Sequence, residues 1–267
     1  MFLKSKAIIA STLFTLATFN VQSTVVEIRT SEGTIEVNLF DQTTPKTVEN
    51  FLSYVNSGSY ASSVVHRSVR NFVIQGGGFT YTGPIDVSSF TMDSIPKDTP
   101  VINEPKLSNV RGTIAMAKSS NPDSATSQWF INLSDNSTSL DVRSNAGGFT
   151  VFGQVIGDGM QVVDTIAAAT TLNAGGAFAE IPIQNYTQTD VENSVDITDE
   201  NIFVVSDIVV TDTNVESAAN LQPKVNTLIN QQTPSTDSSS GGGSLSWMLL
   251  GGFLLLSRKL ARFKIAL

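Results

Sequence analysis

Alternation of apolar and polar residues is the clearest pattern along this chain. Residues 25–29 (VVEIR) and 33–40 (GTIEVNLF) alternate on either side of the turn TSEG, which predicts an opening β-hairpin. Six further short segments have the same strand character: residues 63–69, 72–77, 111–118, 127–134, 151–157 and 201–210. Eight short strands in about 190 residues are typical of a closed barrel or a sandwich.

Only two segments show the period of an α-helix. In residues 43–58, Thr44 is a candidate cap, Pro45 suits the first turn and Gly58 ends the segment. Its apolar residues recur at i, i+3, i+4 and i+7, namely Val48, Phe51, Leu52 and Val55. A second helix is predicted at residues 158–169. The connections 79–110 and 170–200 are long, so we expect them to pack on the barrel or line a site.

The amino-terminal end reads as an export signal. Lys4 and Lys6 precede a mostly apolar run at residues 7–19, which is too short to cross a bilayer and has the length of a signal-peptide core. Residues 1–23 are therefore predicted to be a signal peptide. The domain is then expected to span residues 24–211.

The carboxy-terminal end is predicted to be a flexible polar linker, residues 212–243, followed by a hydrophobic and basic segment, residues 244–267. This segment resembles the Gly-Gly carboxy-terminal sorting signal of Gram-negative envelope proteins, which a rhomboid-type protease removes. The alternative is an anchor that stays in the membrane. Positive charge beside both apolar segments places the body outside the inner membrane, in the periplasm or at the cell surface of a Gram-negative envelope.

Charge and composition exclude several classes of function. Between residues 24 and 240 the chain has ten Lys and Arg against 24 Asp and Glu, a net charge of −14, which disfavours nucleic acid as a partner. There is no cysteine and a single histidine, His66, so a thiolate nucleophile and a multi-histidine zinc site are excluded. No metal and no cofactor are expected.

Two clusters could carry chemistry. The first, residues 66–79 (HRSVRNFVIQGGGF), places a guanidinium, an aromatic ring and an amide on adjacent strands. The second, residues 115–141, joins a polar loop to a strand that contains aromatic residues. The glycines of the first cluster lack the lysine and helix of a phosphate loop, which favours a close backbone approach. A serine hydrolase is excluded because the chain has no G-x-S-x-G elbow.

Together, and in this order, these segments resemble the cyclophilin family of peptidyl-prolyl cis-trans isomerases. The motifs that carry the resemblance are HR…FVIQGGGF (66–79), NVRGTIAMA (109–117), SQWFI (127–131) and VFGQV (151–155). The resemblance implies a mainly β fold, a closed eight-stranded antiparallel β-barrel capped by two α-helices. It also implies that the site lies on the outer surface of the barrel rather than in its lumen.

The resemblance further assigns roles to individual residues. It implies that Arg67, Phe72 and Gln75 are catalytic, and that His66 supports its strand. The residues that it implies for substrate binding are Val73, Ala117, Lys118 (through its backbone), Gln128, Phe130, Leu140 and Phe149. The chain departs from many members of the family at Val73, at Ser139 in place of the pocket tryptophan, and at Phe149 in place of the pocket histidine.

The function implied is non-covalent cis-trans isomerisation of Xaa-Pro bonds, which assists the folding of exported proteins. The expected partners are proline-containing polypeptides and, through the tail, the membrane; the chain is expected to be a monomer. Two alternatives remain open at this stage, a non-catalytic proline-peptide binding module and a chaperone of the cell envelope.

Overall fold

The predicted opening hairpin is confirmed, and its strands β1 (Val25–Thr30) and β2 (Gly33–Leu39) pair in register from Thr30 opposite Gly33 to Val25 opposite Asn38. The computed structural model describes residues 24–212, 221–231 and 265–266. The further strands are β3 (Ser63–Val64), β4 (Arg67–Val69), β5 (Val73–Gly76), β6 (Phe79–Thr80), β7 (Asp93–Ser94), β8 (Thr113–Met116), β9 (Trp129–Asn132), β10 (Val151–Val155), β11 (Thr170–Leu172), β12 (Ile181–Ile183), β13 (Val204–Asp212) and β14 (Ile265–Ala266).

The main sheet is a curled half-barrel of eleven strands in the order β4-β5-β9-β8-β10-β2-β1-β13-β3-β6-β7. The prediction of a closed eight-stranded barrel is therefore wrong, although the mainly β fold is confirmed. All eight predicted strand segments occur, but residues 63–69 are divided into β3 and β4, and the short strands β6 and β7 extend one edge. β11, β12 and β14 form a separate three-stranded sheet.

The division of residues 63–69 falls at Val65 and His66. The chain changes partners there, because the Val65 N–H donates to the Phe203 carbonyl and the His66 N–H to the Gln75 carbonyl. β3 consequently pairs with β13, whereas β4 pairs with β5. These two pairs lie near opposite ends of the strand order. The free edge of β4 is partly covered by the second long connection, where the Ser68 N–H donates to the Glu180 carbonyl at 2.8 Å.

Both predicted helices are present, as α1 (Pro45–Asn56) and α3 (Gly159–Ala168), beside two short helices, α2 (Ser137–Leu140) and α4 (Gln188–Glu192). Thr44 does not cap α1 through its side chain, contrary to the expectation. Glu104, from the first long connection, does so instead, because its carboxylate accepts from both the N–H and the hydroxyl of Thr47 at 2.9 Å. An acceptor at this end satisfies helix donors that have no partner within the helix.

Within the described residues, buried apolar side chains form three clusters. The main core lies inside the curl, where Phe51 of α1 packs against Phe152 with ring centroids 5.0 Å apart. A second core joins the two long connections to each other and to the sheet, for example through the bridge between Ile85 and Ile197. The third cluster is called here the outer cluster, and its buried members are Phe40, Val73, Leu107, Ala115, Ala117, Phe130, Leu140, Phe149 and Val151.

Residues 221–231 lie against the domain, although they fall within the predicted flexible linker. The Ser108 N–H donates to the Lys224 carbonyl at 2.8 Å, and the Asn226 N–H donates to the Lys106 carbonyl at 2.9 Å. The buried side chain of Asn226 donates to the carbonyls of Pro105 and Asp141. This stretch therefore extends the folded unit beyond residue 211.

The two terminal segments predicted to meet a membrane lie outside the described residues, apart from Ile265 and Ala266, which pair with β11. Within the parts of the chain that the structure describes, no helix is long and apolar enough to cross a membrane.

Candidate active site

Strand register places three of the predicted site residues in one row. Arg67 is directly opposite Gln75 in the β4–β5 ladder, and Gln75 is directly opposite Phe130 in the β5–β9 ladder. Side chains that are opposed across antiparallel strands project from the same face of a sheet. Their neighbours Ile74 and Ile131 project from the other face and belong to the main core. The row therefore lies on the outer face of the half-barrel, where the resemblance implies the site to be.

The predicted proline pocket corresponds to part of the outer cluster. Val73, Phe130, Leu140 and Phe149 are all buried within it, and Phe72 is partly buried at its side. The rings of Phe130 and Phe149 meet edge to face with centroids 6.0 Å apart. The structure thus brings together aromatic and aliphatic side chains from β5, β9, α2 and the segment before β10 in one apolar cluster beside the row.

Hydrogen-bonding groups border this cluster. The Gln75 Nε2 donates to Gln128 Oε1 at 2.8 Å, so the two predicted amides form a pair. Arg67 Nη1 and Gln75 Oε1 are buried and have no hydrogen-bond partner among the described residues. Buried polar atoms are nearly always paired in folded proteins, so an unpaired donor and an unpaired acceptor on neighbouring strands mark a place for a polar ligand. A peptide main chain offers the complementary carbonyl and N–H.

Arg67 has one partner that the sequence did not reveal. Its Nε donates to Glu180 Oε2 at 2.9 Å, across a separation of 113 residues. Glu180 belongs to the second long connection, which was expected to pack on the barrel or line a site. No local motif singles it out, because the contact depends on how that connection folds onto β4.

Ala117 and Lys118 follow β8 at the edge of the outer cluster. The Ala117 N–H donates to the Gln128 carbonyl at 2.9 Å, which fixes this edge against β9. The resemblance assigned a role to the backbone of Lys118. The structure also shows two contacts of its side chain. The ammonium lies over the Phe149 ring and donates to the Ala146 carbonyl. Burial lowers the pKa of Lys118 from 10.5 to about 8, against the opposing charge of Asp123.

His66 is enclosed next to the row. Its ring packs edge-on against Phe79 with centroids 5.0 Å apart, and it is 2% exposed. Burial lowers the pKa of His66 from 6.5 to about 4, and the nearby Arg67 charge acts in the same direction. The imidazole is therefore neutral at physiological pH. This favours support of the strand over a role as a proton carrier.

The glycines after Gln75 permit a close approach between β5 and β9. A Cβ on Gly76 would lie 2.7 Å from the Trp129 ring, and one on Gly77 would lie 2.7 Å from the Ser127 carbonyl oxygen. Gly77 also has a φ of +72°, which side-chain-bearing residues rarely adopt. Larger residues at these two positions would push β9, and Phe130 with it, away from β5.

A surface cleft of about 280 Å³ lies elsewhere on the domain, and it contains none of the predicted site residues. Its lining residues are Arg70, Asn71, Arg111, Leu133, Asp164, Ala167 and Ala168. The ion pair between Arg111 and Asp164, at 2.7 Å, occupies two of the charged groups of this cleft.

Comparison with known proteins shows the family of the chain. Residues 25–188 match the family described as cyclophilin type peptidyl-prolyl cis-trans isomerase/CLD. The chain belongs to the cyclophilin-type peptidyl-prolyl cis-trans isomerase family. It is accordingly an isomerase with a cyclophilin fold.

Several relatives are named peptidyl-prolyl cis-trans isomerases. One from Acinetobacter baylyi is 44% identical over 155 residues, covering 57% of this chain and 77% of its own length. Isomerase A of Dickeya dadantii is 43% identical, covering 63% of this chain and 84% of its own length. Isomerase B of Escherichia coli is 39% identical, covering 57% of this chain and 88% of its own length. A crystal structure of a Cryptosporidium parvum cyclophilin type isomerase, in the presence of the dipeptide Ala-Pro, aligns at 24% identity and a TM-score of 0.49, covering 70% of this chain and 99% of that one.

Proposed function

We propose that this cyclophilin isomerises Xaa-Pro bonds at the row formed by Arg67, Gln75 and Phe130, with the outer cluster as the proline pocket. The observation that carries the proposal is the pair of unpartnered buried atoms, Arg67 Nη1 and Gln75 Oε1, beside an aromatic cluster. Both atoms are covered in the folded domain, and a peptide bound beside them would supply a partner to each once their side chains turn toward it. Its proline ring would enter beside Phe72, the partly buried residue at the side of the cluster, and would reach Phe130 once that ring is uncovered.

The chemistry of isomerisation suits a fixed cation. Resonance gives the peptide C–N bond partial double-bond character, and the barrier to rotation is about 18–20 kcal/mol. In the twisted state the prolyl nitrogen regains its lone pair and can accept a hydrogen bond, which it cannot do in the planar state. A guanidinium that donates only to the twisted state lowers the barrier selectively. A guanidinium acts as a fixed cation, so no proton transfer is required.

The surrounding residues would orient the peptide. Gln75 and Gln128, already joined at 2.8 Å, present amide groups along the side of the pocket. Neutral His66 adds no second positive charge beside Arg67. Val73, Leu140 and Phe149 exclude water from the proline ring, which strengthens the electrostatic effect of the guanidinium.

An isomerisation assay tests this proposal directly. The protein without residues 1–23 is mixed with a proline peptide, and cis-trans exchange is followed by magnetisation-transfer NMR, which needs no coupling protease. We expect exchange to accelerate in proportion to enzyme concentration. Binding of the peptide without acceleration would instead indicate the non-catalytic binding module.

The substrates in this proposal are exported proteins, and the enzyme works outside the inner membrane. Support comes from the signal-like residues 1–23 and from the basic residues that flank both apolar terminal segments. Expression of the full chain fused to a reporter that is active only in the periplasm tests the compartment. A reporter that stays inactive while the fusion accumulates in the cytoplasm would contradict export.

The tail would be removed in this proposal, by cleavage within or near residues 240–247. Glycines before and inside the apolar segment weaken a helix by about 1 kcal/mol each relative to alanine, which eases the unwinding that intramembrane proteolysis requires. Intact mass spectrometry of the mature protein from its native envelope tests the point. A carboxy terminus at Leu267 would refute processing and would leave a tethered isomerase.

A further inference from the structure

The contact between Arg67 and Glu180 links the proposed catalytic group to a distant part of the chain. Arg67 Nε donates to Glu180 Oε2 at 2.9 Å, and the side chains are 16% and 40% exposed. The arginine is thus mostly enclosed while the carboxylate remains half in solvent. Because the carboxylate is open to solvent, the pair contributes little to folding stability.

Glu180 is held in place by its backbone as well. Its carbonyl accepts from the Ser68 N–H at 2.8 Å, next to Arg67 on β4. The following residue, Ile181, begins β12 and is fully buried in the second core, together with Phe178. The carboxylate therefore extends from a fixed point of the fold and not from a freely moving loop.

Glu180 binds Nε of Arg67, and this position determines how the contact affects the guanidinium. A guanidinium is planar, and a hydrogen bond to Nε fixes the rotation of the whole group. Nη1 stays buried without a partner among the described residues, and Gln75, which faces Arg67 across the ladder, bonds to Gln128 instead. The contact thus orients the guanidinium and leaves a donor free.

We propose that Glu180 is a positioning residue, which holds Arg67 in the orientation needed to donate to the prolyl nitrogen of the twisted peptide. This inference rests on the function proposed above and names the residue that prepares its site. The carboxylate acts through Arg67 and does not touch the substrate. Its effect is geometric, because its negative charge by itself would weaken the influence of the guanidinium on the substrate.

Two substitutions separate geometry from charge. Glu180→Ala removes both the acceptor and the charge, whereas Glu180→Gln keeps an oxygen that accepts from Nε. We expect Glu180→Ala to lower kcat about three- to tenfold with KM near that of the unmodified enzyme, since orientation matters most in the transition state. Glu180→Gln should restore at least half of the lost kcat. Both are made in the chain that lacks only residues 1–23.

Glu49→Ala is the matched control, because Glu49 also forms an ion pair, with Lys46 at 3.5 Å, and lies on the exposed side of α1. Its kcat and thermal midpoint should equal those of the unmodified enzyme. Thermal midpoints of the Glu180 variants are measured alongside. A purely structural role would lower the midpoint of Glu180→Ala and leave kcat unchanged, which would overturn the inference.

A double-mutant cycle completes the test. In an Arg67→Ala background, Glu180→Ala should cause no further loss of kcat, because the group it positions is absent. A further loss of the same size as in the single variant would overturn the inference. If the unmodified enzyme accelerates isomerisation and Glu180→Ala retains its full kcat, only the role of Glu180 fails. If the unmodified enzyme and Glu49→Ala are both inactive, the proposed function fails and this inference fails with it.

Discussion

The ammonium nitrogen of Lys118 lies 4.4 Å from the centre of the Phe149 ring, at the wall of the proposed proline pocket. A cation over an aromatic face is attracted by the ring quadrupole, but this lysine is only 4% exposed and has lost most of its hydration. Loss of hydration is the larger effect, because the pKa of Lys118 falls to about 8. The pocket thus contains a group whose charge changes in mildly alkaline solution.

The first prediction concerns this lysine. In the unfolded chain its pKa is near 10.5 and in the folded chain about 8, so the unfolded state binds more protons between these values. Stability must then rise with pH across this range, by up to about 1.4 kcal/mol per pH unit, relative to a variant without the group. Urea unfolding of the unmodified protein and Lys118→Met at pH 7 to 10 measures the difference. A difference that stays constant with pH would contradict the assignment.

The second prediction concerns His66, the single histidine of the chain. Its pKa is 6.5 in the unfolded state and about 4 in the folded state, so the unfolded state takes up the proton first as the pH falls. The stability from neutral His66 is complete above pH 6.5 and is lost on the way to pH 4. Unfolding of the unmodified protein and His66→Gln is compared over this range. The unmodified protein should lose more stability; parallel curves would show that the folded protein accepts the proton.

The third prediction concerns Asn226, which anchors the segment 221–231. Besides its two bonds to Pro105 and Asp141, its Oδ1 accepts from the N–H groups of Leu228 and Ile229. Asn226→Ala should lower the free energy of unfolding by about 2 kcal/mol, because buried backbone groups lose their partner. The exposed Asn230 supplies the control, and Asn230→Ala should change stability by less than about 0.5 kcal/mol. Equal effects would mean that the segment does not stabilise the domain in solution.

Periodicity in the sequence predicted the helices and strands that are determined by neighbouring residues. The stripe of α1, with Phe51 at its centre, placed that helix, and the alternation in β1 and β2 placed the hairpin. The motifs placed Gln75 and Phe130 on one face, because strands of alternating character put them on the side opposite Ile74. Residues 63–69 read as one strand, however, since nothing in their pattern marks the change of partners at His66.

The features that sequence reasoning missed all depend on contacts between distant segments. Glu104 caps α1 from 57 residues away, and Glu180 reaches Arg67 from 113 residues away. Asn226 lies in a stretch whose polar composition indicated a flexible linker, yet it is bound by carbonyls more than 80 residues earlier. Periodicity describes which face of an element is apolar and does not describe which polar side chain satisfies a distant backbone group.

A fourth prediction separates the pocket from the cation. Phe130 is fully buried, packs against Phe149 and shares the outer cluster with Val73, so Phe130→Ala should lose both activity and about 3 kcal/mol or more of stability. Isomerisation rates and chemical denaturation of the same preparation provide both values. An unchanged stability would indicate that Phe130 is more loosely packed than the structure has it.

The isomerisation rate of Arg67→Ala tests the central claim most directly. The pair that Arg67 forms with Glu180 is open to solvent on the side of the carboxylate, so loss of the guanidinium should leave the thermal midpoint within a few degrees of the unmodified enzyme. Loss of the donor to the twisted peptide should lower kcat/KM at least about tenfold. A folded Arg67→Ala enzyme with full kcat/KM would contradict the account.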